Sequence, residues 1–374
     1  MMKTESTWLL LPVAVAVLCS SMLRAAEGEE IPRLRDGTAA TGLDALTRIR
    51  VDRALDYLYR NQNPDGSWTD RVGRKVHYQY ECHLARHVGV TALAGMAFLS
   101  SGALPNQGPS ARYCIAVRKA IEFLMDHTQP NGYIHAYGSR MYSHAFASLF
   151  LAEAYGTSVY PDSARLQDCL KRSVRLIVQS QNPQGGWRYQ PRASDADMSV
   201  TVCQVMALRA ARNAGVQVPK EAINAAIRYV RKSYVRRIGG FSYQISDVYN
   251  NSRSRHSFAL TACGVATLYG AGMYGAYEIA EGLKYLRAKR PNIKSTPPRQ
   301  TFDYFYGHYY AVQAAFQAGG SYWIEWYETM KDELLSLQNK EDGSWEDLVG
   351  RNYATAMAVI ILQLPNQYLP ITES

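Results

Sequence analysis

The segment SDADMSVT, Ser194 to Thr201, places two carboxylates, Asp195 and Asp197, two residues apart at the start of an apolar stretch. A neighbouring negative charge and partial burial both favour the protonated carboxyl. Such a pair can therefore hold a proton and deliver it as a Brønsted acid. The local alternative is that Asp197 or Ser199 caps the helix while Asp195 stays solvated. Comparable positions, at or just before apolar helices, carry Glu81, Cys82, His83 and His87, then His144, then Arg255 and His256, then His308, then Arg351 and Asn352. Five of the eight histidines fall in this set. Histidine is not a favoured cap, so the set also suits a ligand-binding rim.

The elements that must position these residues form a repeat. RALDYLYRNQNPDGSW (Arg53 to Trp68), RSVRLIVQSQNPQGGW (Arg172 to Trp187) and KDELLSLQNKEDGSW (Lys331 to Trp345) share one pattern, with weaker copies from Lys119, Ala225 and Glu281. The hub residues Tyr57, Phe123, Leu176, Tyr229, Tyr285 and Leu334 recur at steps of about 50 to 66 residues, a period that marks a repeat architecture. Each copy has a charged stripe and is followed by a second helix, apolar nearly all round and rich in Ala, Gly, Ser and Thr. The first helix is expected to face water and the second to lie inside. Six such pairs predict an all-α fold, a single (α/α)6 toroid whose outer helices carry Q-x3-G-x-W-like turns. Gln62, Gln181 and Gln338 are expected to serve the orphan carbonyls at the outer-helix ends. Gly66, Gly185 and Gly343 permit the turn, and each Trp plugs it.

In a closed ring the inner helices start at one end. Their free N–H groups and positive dipole ends converge there, which is where the polar set above falls.

The domain layout predicted is a signal peptide over 1–26, a linker over 27–44, the toroid over 45–365 and a tail over 366–374. Lys3, the uncharged run from Trp8 to Leu18 and small residues up to Ala26 read as an export signal, too short to span a membrane. The expected location is therefore periplasmic or secreted. Cys19 raises a lipid-anchored form, but Leu18 before it is larger than the usual small residue. Cys82, Cys114, Cys169, Cys203 and Cys263 are expected as free thiols, since they are odd in number and widely spaced. The net charge of +9 suits an anionic ligand or membrane surface. Without a concentrated basic block, nucleic acid is not an expected partner. No CxxC or HExxH string is present, and neither a metal nor a cofactor is expected.

The tandem Q-x3-G-x-W units and the Asp–x–Asp–x–Ser string resemble the squalene–hopene and oxidosqualene cyclase superfamily, with the related protein prenyltransferases, over about residues 45 to 365. The resemblance implies a toroid that protonates a polyprenyl or other apolar substrate in a central cavity. It places the proton donor at Asp197, with Asp195 as the first carboxylate and Ser199 where the family has Thr. Met198 replaces the family's third Asp. His256 is the geometric choice for the residue that orients the donor. Prenyltransferase zinc ligands are not matched, because Asp195 is followed by Asp197 rather than Cys. One toroid is also half of what triterpene cyclases use to enclose substrate. His87, His144, His308, Tyr306, Tyr309, Arg255 and Asn352 are the candidate substrate-binding residues, for an apolar or isoprenoid-like small molecule. Two other readings stay open: a non-catalytic toroid scaffold for a lipid, glycan or protein, and a secreted toroid lyase or hydrolase acting on glycans.

Overall fold

Apolar residues on one stripe make an outer helix, and apolar residues all round make an inner one. The computed structural model, which describes residues 43–367 apart from 77–78, 158–159, 249–254, 292, 294–297 and 299–302, follows that division. The outer helices are α1 (Ala45–Arg60), α3 (Ala111–Asp126), α5 (Ser163–Gln179), α7 (Lys220–Lys232), α10 (Tyr277–Ala288) and α12 (Gly320–Leu337). The inner ones are α2 (Val88–Leu99), α4 (Met141–Thr157), α6 (Met198–Asn213), α9 (Phe258–Gly270), α11 (Tyr304–Ala318) and α13 (Arg351–Gln363). A single-turn helix, α8 (Ile245–Val248), precedes α9. In α5 the buried residues are Leu166, Cys169, Leu170, Ser173, Val174, Leu176 and Ile177, clustered at the three-to-four spacing of one face. Every residue of α2 is buried. Each inner helix packs on the next, and α13 packs back on α2 to close the ring.

The repeated turns hold the outer wall. Trp68, Trp187 and Trp345 are buried, and their indole N–H groups donate to Leu58, Ile177 and Leu334 carbonyls at 2.8, 2.7 and 2.8 Å. The indole, not the glutamine, thus serves the orphan carbonyl at the end of its own helix. The glutamine reaches further. The Gln62 amide donates to Gly66 in its own turn and to Ala116 of the next outer helix. Gln181 bridges Gly185 and Ala222 in the same way, and Gln338 bridges Gly343 and Arg50. This corrects the expected role of the glutamines, whose donors clamp neighbouring repeats together. Gly185 has φ +94°, and a β-carbon there would collide with the Ala225 carbonyl of α7.

Two features depart from the all-helical expectation. A hairpin of β1 (Thr69–Val76) and β2 (Gln79–Arg86), antiparallel with Thr69 opposite Arg86, links α1 to α2. Apolar–polar alternation from Val76 to Leu84 is the available sequence signal. A two-residue ladder, β3 (Tyr234–Val235) with β4 (Gly240–Phe241), follows α7. All five described cysteines are free, four of them buried and Cys82 exposed on β2. The signal peptide and most of the linker and tail lie outside the described residues. Within the linker, Leu43 is buried and Asp44 caps α1 by accepting from the Thr47 N–H. No described helix is long and apolar enough to cross a membrane.

Two glycines separate turn conformation from packing. Gly215 has φ +85°, and a methyl group added there would meet nothing within 4 Å, whereas Gly185 abuts α7. Gly215→Ala should cost about 1–2 kcal/mol in urea denaturation, the ordinary left-handed penalty. Gly185→Ala should cost at least twice as much; equal losses would contradict the clamp.

Candidate functional site at the inner-helix N-termini

Alternation of outer and inner helices brings all inner N-termini to one end of the ring, and Asp197 lies there at the start of α6. Asp197 is fully buried and caps α6. Its Oδ1 accepts from the Val200 N–H at 2.9 Å and the Ser199 hydroxyl at 2.8 Å. Its Oδ2 accepts from Arg188 at 2.9 Å and from the Tyr243 hydroxyl at 3.4 Å. Arg188 also pairs with the exposed Asp195 at 3.1 Å. The two carboxylates are therefore bridged by a guanidinium rather than facing each other. Burial pushes the Asp197 carboxyl upward, while the Val200 N–H, Ser199 and Arg188 act against it.

Above Asp197 the walls are aromatic. Tyr142, Tyr189, Tyr243 and Tyr306 are each partly exposed. The Tyr142 ring lies 6.0 Å from Tyr189 and 6.1 Å from Tyr306, and the Tyr189 and Tyr243 hydroxyls share a hydrogen bond. Arg188 and Arg255 stack on Tyr243 at 5.4 and 4.4 Å, and Arg140 lies 5.9 Å from Tyr189. Tyr306 donates to the Ser199 carbonyl at 2.8 Å, and the Cys203 sulfur lies 3.4 Å from both the Tyr306 and Tyr310 hydroxyls. Below this level the axis is filled. Phe146 of α4 meets Tyr309 of α11 across the ring at 6.1 Å, and Tyr309 packs on Tyr310 at 4.9 Å.

Arg255 borders this cluster through the Tyr243 ring; the other remaining sequence-derived candidates do not gather round Asp197. His256 is exposed, its ring 6.2 Å from Tyr285 of an outer helix, and it is not among the partners of Asp197. His87 caps α2, with Nδ1 accepting from the Val90 N–H. Glu81, Cys82 and His83 are exposed on β2, away from any helix start. Arg351 makes ion pairs with Asp342 and Glu346. Arg255 pairs with Asp247 at 3.1 Å.

His144 has a wall position that the repeat explains. Thr91, Thr201, Thr261 and Thr355 each accept, through Oγ1, the backbone N–H of Trp68, Trp187, Phe241 and Trp345. In the second repeat His144 Nδ1 accepts from the Ile134 N–H at 3.1 Å, in the threonine's place. Thr201, the last residue of the Asp–x–Asp string, is thus part of the wall. His308 is wedged between Phe258 and Tyr304, with no partner for either ring nitrogen among the described residues. Burial depresses both histidines, to about 3.

Sequence reasoning missed what stands two residues beyond each turn aromatic. Tyr189 and Tyr243 follow Trp187 and Phe241 by two, and Asp70 and Asp347 follow Trp68 and Trp345 by two. Asp70 Oδ2 accepts from the Tyr353 N–H at 2.7 Å, so the first repeat caps the last inner helix. Asn352, in the same seam, donates to the Thr69 carbonyl at 3.0 Å. Burial raises Asp70 and Asp347 to about 7, Asp347 with added repulsion from Asp70 and Asp303. Among the described residues, no group of three or more His, Cys, Asp or Glu side chains is arranged to hold a metal ion.

Solved structures share this architecture. A variant of type II terpene cyclase MstE from Scytonema, in complex with geranylgeranyl dihydroxybenzoate, matches at TM-score 0.51 and 15% identity, over 87% of this chain and 98% of that one. The α-1,6-mannanase GH76A of Salegentibacter sp. HEL1_6 matches at TM-score 0.59 and 8% identity, over 86% and 99%. The cellobiose 2-epimerase of Spirochaeta thermophila matches at 0.57 and 12%, over 87% and 99%. At these identities the likeness is one of fold, and it establishes the α/α toroid expected from the repeats. No family model and no curated protein matches the chain.

The buried imidazoles predict a pH signature. A histidine held at about 3 when folded, against 6.5 unfolded, loses stability as pH falls below the unfolded value. Asp70 and Asp347 act oppositely, their stabilising effect being lost as pH rises through about 7. The difference between wild type and His308→Phe removes the acid contribution. The variant should gain on wild type by up to about 1.4 kcal/mol per pH unit between about pH 6 and 4. A pH-independent difference in denaturation midpoints would contradict neutral burial of His308.

Proposed function

We propose that the protein is a small-molecule-binding α/α toroid whose ligand, an apolar or isoprenoid-like chain with an anionic end, seats on the tyrosines at the N-terminal mouth of the ring. The carrying observation is the Phe146–Tyr309 contact across the axis. It fills the space a long chain would need inside the ring, while Tyr142, Tyr189, Tyr243 and Tyr306 stay partly exposed above it. Arg140 contributes a cation that pairs with no carboxylate among the described residues. Calorimetric titration with farnesyl phosphate should show binding that farnesol and inorganic phosphate do not match. Arg140→Ala should weaken it about tenfold, the loss of one charge-assisted contact. No binding, or binding indifferent to both Arg140→Ala and Tyr306→Ala, would refute the reading.

A second reading makes Asp197 a proton donor to a polyprenyl alkene. Its support is the burial that raises this carboxyl, together with a fold shared with a type II terpene cyclase. Asp197→Asn keeps a competent cap, so folding should survive. On this reading the variant should lose cyclised product by at least about 100-fold in a polyprenyl turnover assay. Product formation that survives the change would eliminate Asp197 as the acid. Export through residues 1–26 belongs to the same proposal. The mature chain should begin near Glu27, and recovery of cytoplasmic protein starting at Met1 would contradict it.

A further inference from the structure

The opposite end of the ring holds a second recess. It is about 20 Å³, enough for one small group, since a water needs roughly 10–15 Å³ by this measure. Met206, Ala266, Phe316 and Leu364 give it an apolar wall, and Gln313 and Arg209 give it a polar one. The Arg209 guanidinium lies against Gly270, where any β-carbon would collide with it. That glycine leaves the guanidinium its place in the recess.

Arg209 is mostly buried, yet it forms no hydrogen bond or ion pair among the described residues. Arg212, one turn on, is exposed and also lacks a carboxylate partner there. Burial and then Arg212 lower the Arg209 pKa, and Tyr274 and Glu153 offset this only at longer range. A cation at the end of α6 does suit the helix dipole. The dipole does not satisfy the planar fork of N–H donors, which matches a carboxylate bidentately.

We propose that this recess takes the carboxylate group of a short-chain acid, held by the Arg209 fork, with the hydrocarbon end of the acid lying along the apolar wall of Met206, Ala266, Phe316 and Leu364. The site is separate from the tyrosine mouth and does not depend on what binds there.

The test replaces sodium chloride stepwise by sodium propionate at fixed ionic strength and follows the thermal unfolding midpoint of the full chain. Wild type should show a saturable rise, and Arg209→Met should show none. Arg209→Lys keeps the charge for the helix end but not the fork, and should raise the half-saturating concentration several-fold. Calorimetric titration of propionate into wild type and Arg209→Lys gives the same comparison without relying on the Met variant folding. A flat wild-type response, or equal responses of wild type and Arg209→Lys, would overturn the proposal.

Discussion

One amide side chain per clear repeat holds two carbonyls at once, and the ring depends on that bridge. In Gln62, Gln181 and Gln338 the same NH2 group serves the glycine of its own turn and a residue of the next outer helix. The bond from Gln338 to Arg50 spans 288 residues and joins the last repeat to the first. Glycine is needed in these turns twice over, for the positive φ and for the approach to the neighbouring helix. The buried indoles complete the clamp, and truncating one would cost about 3–5 kcal/mol.

With the outer wall closed, the inner helices have only each other and the axis to pack against. Tyrosine and phenylalanine fill that axis, so Phe146, Tyr309 and Tyr310 make a floor rather than a channel. What stays accessible is the mouth above the floor, where the positions two beyond the turn aromatics place Tyr189 and Tyr243 beside Asp197. The same positions at the seam hold the buried acids Asp70 and Asp347, and Asp70 joins the ends of the ring by accepting from the Tyr353 N–H. In these four repeats one position therefore sets the character of the mouth.

The toroid was legible because its hubs, turns and apolar inner helices recur, and periodicity survives single-residue ambiguity. The role of the glutamines was not, since a residue at a helix end reads as serving that helix, and its partner is fixed only by closure. Histidine at inner-helix starts suggested a converging site. His144 instead stands in for a threonine of the wall, which becomes visible only when the repeats are superposed. His256 was placed by analogy with an inner-helix start, and the backbone pairing with Ser242 sets it outside. The Asp–x–Asp string was read without Arg188, although that residue directly follows Trp187 and decides how the two carboxylates interact. The hairpin before α2 is short beside the helical periodicity on either side, which masks its alternation.

A filled axis requires side chains that touch across it. A double-mutant cycle with Phe146→Ala, Tyr309→Ala and the pair, read by equilibrium denaturation, tests this directly. The geometry predicts a coupling of about 0.5–1.5 kcal/mol, as for edge-to-face aromatic pairs. Strict additivity of the two substitutions would show that the rings do not meet, and that the axis is open.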